Sequence, residues 1–340
     1  MKKLLFVLLA LVVVSSLAFI GCPAKEPEAE GPVELSMVMF LPDFPPVNLW
    51  THMLMDKVAA KSNGDLVINL IGGPEAIPAQ DQPAAVQRGT VDIANAMGNF
   101  TDTLIPGAEC LARAEMDPAG IRQTPAFTYI QGKAEEVGIY YLGASSPSEP
   151  QDQTNFFFKD VISTIDDIAG KKIASTGGTS REFIEALGAV CVPIDFMDYF
   201  TAMERGTVDA YYIGTPGILD IGGVDVTGCM LDEPFSSSGA HFLVNLDKWN
   251  SLSKAQQDIL NQAAIETEID GIPEWNNLVD EVKSEISAAG VKIVKFSPEE
   301  SKEFYLTYRE SLWPGDIARH PEEATYIKQF IVDPDFYRAK

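Results

Sequence analysis

The sequence predicts a two-lobed α/β protein, and three observations carry that expectation. The pentapeptide Arg-Gly-Thr-Val-Asp occurs twice, at 88–92 and again at 205–209. Strand-like and helix-like runs alternate along most of the chain, the pattern of parallel sheets covered by helices. The 340 residues exceed the usual size of a single core, and 46% hydrophobic content is ample for two.

Each copy of the pentapeptide has its own physical logic. The Arg closes a helix at the end where a cation is favoured. The Gly takes the left-handed conformation that a Cβ resists. The β-branched Thr-Val pair then opens a strand. An alanine-bearing helical stretch precedes each copy (Ala85, Ala202), and strand-like runs at 91–95 and 208–213 come after. A helix-stop-strand device used twice, more than a hundred residues apart, implies two similarly built lobes with a cleft between them.

The chain opens on Met1-Lys2-Lys3, an apolar run over 4–20, and Gly21-Cys22. Two lysines, a short apolar stretch and a small residue before the cut read as a secretory signal over 1–21. Gly21-Cys22 resembles a bacterial lipoprotein cleavage box, which implies a lipid on Cys22. The Pro- and charge-rich segment up to residue 32 suits a solvated, lipid-anchored tether, 22–32.

Net charge is −24, with 25 basic against 49 acidic residues. That argues against nucleic acid and anionic lipid surfaces as partners, because both require basic patches. Beyond Cys22 the cysteines are Cys110, Cys191 and Cys229, an odd number, so at most one pair forms.

Along the chain, residues 33–40 read as a first strand, broken by Pro42, Pro45 and Pro46. A helix spans 49–62 and stops at Asn63-Gly64, before an apolar strand over 66–71. A helix over 80–87 leads to the first pentapeptide. The region 105–143 reads as helices broken at Pro118 and Pro125, and 144–153 as a crossing segment. The second lobe begins with a strand at 171–175 and a Gly177-Gly178 turn. Thr179 and Glu182 there have capping-box spacing. A strand at 190–194 and a helix at 198–205 precede the second pentapeptide. Residues 235–246 return to the first lobe. A second capping box at Ser253 opens a long helix to about 289, with apolar positions at helical spacing that include Ile269, and with a kink or break expected at Pro273. A strand at 292–296 and a helix at 298–312 come next. The tail beyond Pro314 has no clear pattern.

Three segments together resemble a known family. The block Ile165-Asp166-Asp167-Ile168-Ala169-Gly170-Lys171-Lys172-Ile173 is similar to its segment entering the second lobe. The second pentapeptide, preceded by Val192-Pro193-Ile194 and by Tyr199, Thr201, Ala202 and Met203, is similar to its Pro…Tyr-Thr-Ala-Leu segment. The stretch from Trp249 to Gln262 matches a Trp, Leu, Gln and Ile series. The family is the solute-binding proteins of tripartite ATP-independent periplasmic (TRAP) transporters, and the resemblance covers about residues 33–304. It implies a periplasmic-binding-protein-like fold with hinge strands and a long C-terminal helix spanning both lobes. It also implies capture of a small-molecule solute by lobe closure and delivery to a membrane permease. On this reading lobe I is 33–150 with 240–262, lobe II is 151–239, and 253–340 packs on both. The signal-like run and the resemblance imply a place outside the cytoplasm, periplasmic or in the cell envelope, lipid-anchored to a membrane after secretion.

The resemblance also marks departures. Most members clamp a carboxylate with an arginine just after Lys-Ile, and here Ala174 stands at that position, with Ser175 next. A second familiar arginine falls near Gln153 and is absent. Tyr211-Tyr212-Ile213 replaces the usual Gln-Glu-Asn. These changes argue against a simple dicarboxylate ligand.

Ligands of open α/β sheets sit beyond the carboxyl ends of strands. That rule, with the resemblance, selects Phe40, Trp50, Asn95, Asn99, Gln153, Ser175, Arg181, Phe196, Tyr212, Thr215 and His241 as candidate ligand-binding residues. Core packing is the alternative for Trp50, Phe196 and His241, turn chemistry for the two asparagines, and solvent for Arg181. Tyr211 and Tyr212 alternate across one strand, so one of them belongs to the core. His52, His241 and His320 lie far apart, and neither His-Glu-x-x-His nor Gly-x-Ser-x-Gly occurs. No catalytic residue, metal or cofactor is assigned. The alternative functions are a receptor for another transporter or sensor system, and an envelope hydrolase.

Overall fold

The computed structural model describes residues 31–43, 48–145, 154–175, 180–235 and 239–332. Cys22, Gln153, the Gly177-Gly178 turn and the Thr179 cap lie outside these. The chain from Glu34 onward forms one body.

Eleven strands form among the described residues: β1 (Val33–Met39), β2 (Leu66–Gly72), β3 (Ile93–Ala96), β4 (Ile139–Ala144), β5 (Thr154–Phe158), β6 (Lys172–Ser175), β7 (Val190–Pro193), β8 (Ala210–Gly214), β9 (Cys229–Leu231), β10 (His241–Asn245) and β11 (Lys292–Val294). They make two sheets, ordered β2-β1-β3-β10-β4 and β11-β9-β5-β8-β6-β7. In each, a central strand has one parallel and one antiparallel neighbour: β3 lies between β1 and β10, and β8 between β6 and β5. The two lobes therefore share a local plan.

The helices are α1 (Leu49–Lys61), α2 (Gln82–Gln87), α3 (Gly98–Thr101), α4 (Pro118–Arg122), α5 (Pro125–Glu136), α6 (Ser180–Ala186), α7 (Tyr199–Glu204), α8 (Gly217–Asp220), α9 (Leu246–Ser251), α10 (Lys254–Ala288), α11 (Pro298–Arg319) and α12 (Pro321–Ile331). α1 ends where expected, with Asn63 and Gly64 both at positive φ. α10 opens on the Ser253–Gln256 capping box and runs through Pro273 without a break. The carbonyl that Pro273 leaves without a partner, that of Ile269, belongs to a residue half exposed to water. Ile269 is thus not on the buried face, contrary to the periodicity reading. Thr267 and Glu268 are buried there instead.

Both pentapeptides close their helices by a Schellman motif. Thr90 N donates to Ala85 O and Thr207 N to Ala202 O, each at 2.9 Å. Gly89 and Gly206 sit at φ 69° and 68°.

α10 and α11 tie the lobes together. Near its middle α10 packs Trp275 against Trp50 of α1, ring centroids 5.5 Å apart, while Val282 and Ile286 enter a second-lobe core with Phe157 and Tyr211. α11 places Phe304, Tyr308 and Leu312 in an aromatic core with Phe156, Phe183 and Phe235, and then Trp313 in the first-lobe core. Pro314 does not end it, since the helix reaches Arg319. The three cysteines beyond Cys22 are free thiols, Cys110 and Cys229 buried and Cys191 half-buried.

Candidate functional site

The carboxyl ends of the central strands carry two belts of hydroxyls and amides. In the first lobe, Asn95 near the end of β3 is buried with both ends of its amide engaged. Its Nδ2 donates to Thr51 Oγ1 of α1 at 2.7 Å, and its Oδ1 accepts from Ser145 Oγ, just past β4, at 2.5 Å. Its backbone carbonyl accepts the N–H of Phe40, which stands half-buried at the end of β1. Asn99, in α3, accepts the neighbouring Phe100 N–H at 3.0 Å.

In the second lobe, Ser175 at the end of β6 is fully buried, and its Oγ lies 3.2 Å from the hydroxyl of Tyr212. Ser180, the first residue of α6, joins them, 3.3 Å from Ser175 and in contact with the Tyr212 hydroxyl. Tyr211, one residue away, points to the opposite face and is core. Thr215, just after β8, donates to Asn155 Oδ1 at 2.8 Å, and Asn155 Nδ2 donates to Leu231 O at 2.8 Å. That locks β8, β5 and β9 together at the end that carries the second hydroxyl belt.

Three candidates stand elsewhere. Trp50 is core: it is buried against α10, where a Cβ at Gly271 would fall 2.5 Å from its indole nitrogen. Arg181 points to solvent, its side chain 54% exposed and 3.5 Å from Glu185 one helical turn on. A first-turn cation is poorly placed at the positive end of a helix, and solvent with an acidic partner offsets this. Phe196 packs edge-on against Tyr199 within the second lobe, ring centroids 5.8 Å apart.

His241 is buried at the start of β10, edge-on to Tyr141 at 5.2 Å, with no hydrogen-bond partner at Nδ1. Burial pushes its pKa down to about 3, so the imidazole is neutral. Among the described residues no group of His, Cys, Asp or Glu gathers to hold a metal ion.

Ser180, Ser145, Thr51 and Asn155 were not selected from the sequence. The signal for Asn155 was present: one amide opens a run of three phenylalanines (156–158) in a strand buried throughout. Serines and threonines near loops carry no comparable mark.

Comparison with known proteins accords with this architecture. The family model DctP, bacterial extracellular solute-binding protein, family 7, matches residues 37–312. The chain is 25% identical over 252 residues to a monocarboxylate 2-oxoacid-binding periplasmic protein of Nostoc sp., covering 72% of this chain and 68% of that one. A TRAP periplasmic solute-binding protein of Desulfovibrio desulfuricans, solved with bound sn-glycerol-3-phosphate, superposes with a TM-score of 0.75 at 18% identity, over 90% of this chain and 97% of the other. One from Desulfovibrio salexigens, solved with orotic acid, gives 0.74 at 18% identity, over 90% and 99%. No helix among the described residues is long and apolar enough to cross a membrane. The family match spans most of the body and the two-lobed architecture agrees with it: this chain belongs to family 7 of the bacterial extracellular solute-binding proteins, the TRAP receptors its sequence resembles.

Proposed function

We propose that this chain captures a small polar solute other than a simple dicarboxylate between its lobes and hands it to a TRAP-type permease. The observation that carries the ligand class is the chemistry at the carboxyl ends of β6 and β8. The resemblance places a carboxylate-clamping arginine at Ala174, and Ala174 is instead buried core. Beside it stand the hydroxyls of Ser175, Ser180 and Tyr212. Hydroxyls both donate and accept, and they suit ligand hydroxyl, amide or carbonyl groups better than a paired carboxylate, which favours a guanidinium fork. The ligands of the relatives, orotic acid, sn-glycerol-3-phosphate and 2-oxoacids, each join one acidic group to a polar remainder. On this reading that remainder faces the hydroxyl belt.

The residues assigned to the solute are Phe40, Asn99, Gln153, Ser175, Ser180 and Tyr212. Asn95, Thr215 and His241 support them from behind. The signal-like run and Gly21-Cys22 support export and lipid attachment at Cys22. Replacing Cys22 with Ser would then move the protein from the membrane to the soluble fraction.

A thermal-shift screen tests the ligand class. It would compare short dicarboxylates, hexuronates, orotate, 2-oxoacids, neutral sugars and aromatic amides. A ligand at a hundred times its Kd stabilises by about 2.7 kcal/mol, a shift of several degrees. Stabilisation by short dicarboxylates alone refutes the reading.

A further inference from the structure

The chain leaves the first lobe after β4 and returns to it at β10, and these crossings are bonded to each other. Ser145 N donates to Ala240 O at 2.8 Å. Just before the exit, β4 carries a bulge: Phe242 pairs with Gly143 but Leu243 with Tyr141, which leaves Leu142 without a register partner. Two side chains from other elements take up backbone groups there. Arg122, the last residue of α4, donates from Nη2 to Leu142 O at 2.8 Å. Glu268 of α10 accepts Ala144 N at Oε1, 2.9 Å. The two side chains hold each other through a fork, Nε to Oε2 and Nη2 to Oε1, both at 2.7 Å. The Glu268 side chain is 1% exposed and that of Arg122 15%. Phe127 covers the guanidinium, its ring centroid 4.5 Å from Cζ. Gly143 is required at this point, since a Cβ there would lie 2.3 Å from Arg122 Nη2 and 2.4 Å from Glu268 Oε1.

We infer that the Arg122–Glu268 pair is the pin of the inter-lobe hinge, holding the exit of β4 to the long helix so that lobe movement turns about Gly143–Ser145. A buried ion pair adds little to stability relative to well-packed apolar side chains, and holding one geometry is the use it serves best. Here its remaining hydrogen-bonding capacity is directed at two backbone groups of a crossing strand. Both residues are positioning residues for solute capture, and the inference rests on the proposed two-lobed receptor function.

The test compares the full chain with Glu268→Gln and with the double variant Arg122→Met/Glu268→Met, which removes both charges and keeps an apolar fill. Hydrogen exchange would be monitored in the peptide covering 139–145 and, as the global reference, in 154–158, with small-angle scattering run on the same samples. The expected result is exchange at least tenfold faster in 139–145 with 154–158 unchanged, and a radius of gyration that differs from wild type. Equal acceleration in both peptides marks the pair as merely structural and overturns the inference, and so does no change in either. Addition of orotate, glucuronate or pyruvate distinguishes failure of the pin from failure of the receptor reading. A wild type that compacts with one of them while Glu268→Gln compacts identically overturns the pin alone. A wild type that compacts with none of them counts against the receptor reading, and the exchange data still decide the pin.

Discussion

Asp92 and Asp209 make two matching contacts in the two lobes. Asp92 Oδ2 accepts the backbone N–H of Ser36 on the parallel neighbour β1, and Asp209 Oδ2 that of Lys172 on the parallel neighbour β6, each at 2.8 Å. Their carbonyls accept from the antiparallel side, Asn245 N at 2.8 Å and Lys159 N at 2.9 Å. The repeated pentapeptide is therefore a connector. Its Gly stops a helix, and its Asp pins the start of a central strand between one parallel and one antiparallel partner. The equivalence extends to hydrogen bonds that five letters of sequence do not state.

Gly206 gives the cleanest test of that connector. Its φ is 68°, and a Cβ there would meet nothing within 4 Å. Gly206→Ala therefore costs only the left-handed backbone term, about 1–2 kcal/mol, and Gly206→Asn costs less because Asn tolerates that region. Urea unfolding of the two variants should rank them in that order. Equal costs would mean that crowding, not conformation, fixes the glycine.

Asp316 of α11 lies buried against Arg113, with Arg113 Nε donating to Asp316 Oδ2 at 3.2 Å. Burial raises the Asp316 pKa, and the guanidinium opposes this. After Asp316→Ala, Arg113 still has Glu109 at 3.4 Å. The expected loss is about 3 kcal/mol, the range for a broken buried pair. Arg181→Ala, which removes an exposed i,i+4 pair with Glu185, should cost under about 0.5 kcal/mol. Chemical denaturation of the two variants checks the contrast.

The alternation of elements, the stop at Asn63-Gly64 and the twin turns were legible because each rests on local chemistry. β4, β5 and β9 were not assigned, because strands buried on both faces read as plain apolar runs: β5 is Thr-Asn-Phe-Phe-Phe with every residue buried. Pro273 read as a breaker and Pro314 stood just past the expected helix, yet the packing of α10 and α11 across both lobes outweighs one lost hydrogen bond each. For the candidate site, the strand-end rule named Ser175 and Tyr212, and their hydroxyls meet at 3.2 Å. Which hydroxyl joins them depends on where α6 begins in space, and no spacing rule encodes that. Glu268 was hidden for the opposite reason, since a glutamate in an acidic helix reads as solvated until its arginine arrives from 146 residues away.

Tyr212→Phe removes one hydroxyl from the belt and leaves the ring, which packs against Phe156 and Phe235 at 6.1 and 5.8 Å. One hydrogen bond at a solute is worth about 1.4 kcal/mol, a tenfold change in Kd. Calorimetric titration with the solute found by thermal shift should show that weakening, with a melting temperature within about 3 °C of wild type. An unchanged Kd would remove Tyr212 from the site.

His241 sets a pH dependence. Its pKa in the folded chain is held near 3 by burial, against an ordinary value of 6.5. The unfolded chain takes up the proton as pH falls below about 6.5, while the folded chain leaves the imidazole neutral until about 3. Its contribution to stability is therefore complete above pH 6.5 and is lost progressively on acidification between those values. Between pH 7 and pH 5 the loss amounts to about 2 kcal/mol. The neighbouring carboxyl of Glu268, which lines the same small cavity with Tyr141 and Ala144, is pushed the other way by burial, so the total pH profile mixes opposing signs. His241→Phe isolates the imidazole: it keeps the aromatic contact with Tyr141 and has nothing to protonate. Urea unfolding at pH 7 and pH 5 should show wild type losing about 2 kcal/mol more than the variant. Equal losses would show that the folded chain accepts the proton, and with it that the His241 side chain finds a partner or water when charged.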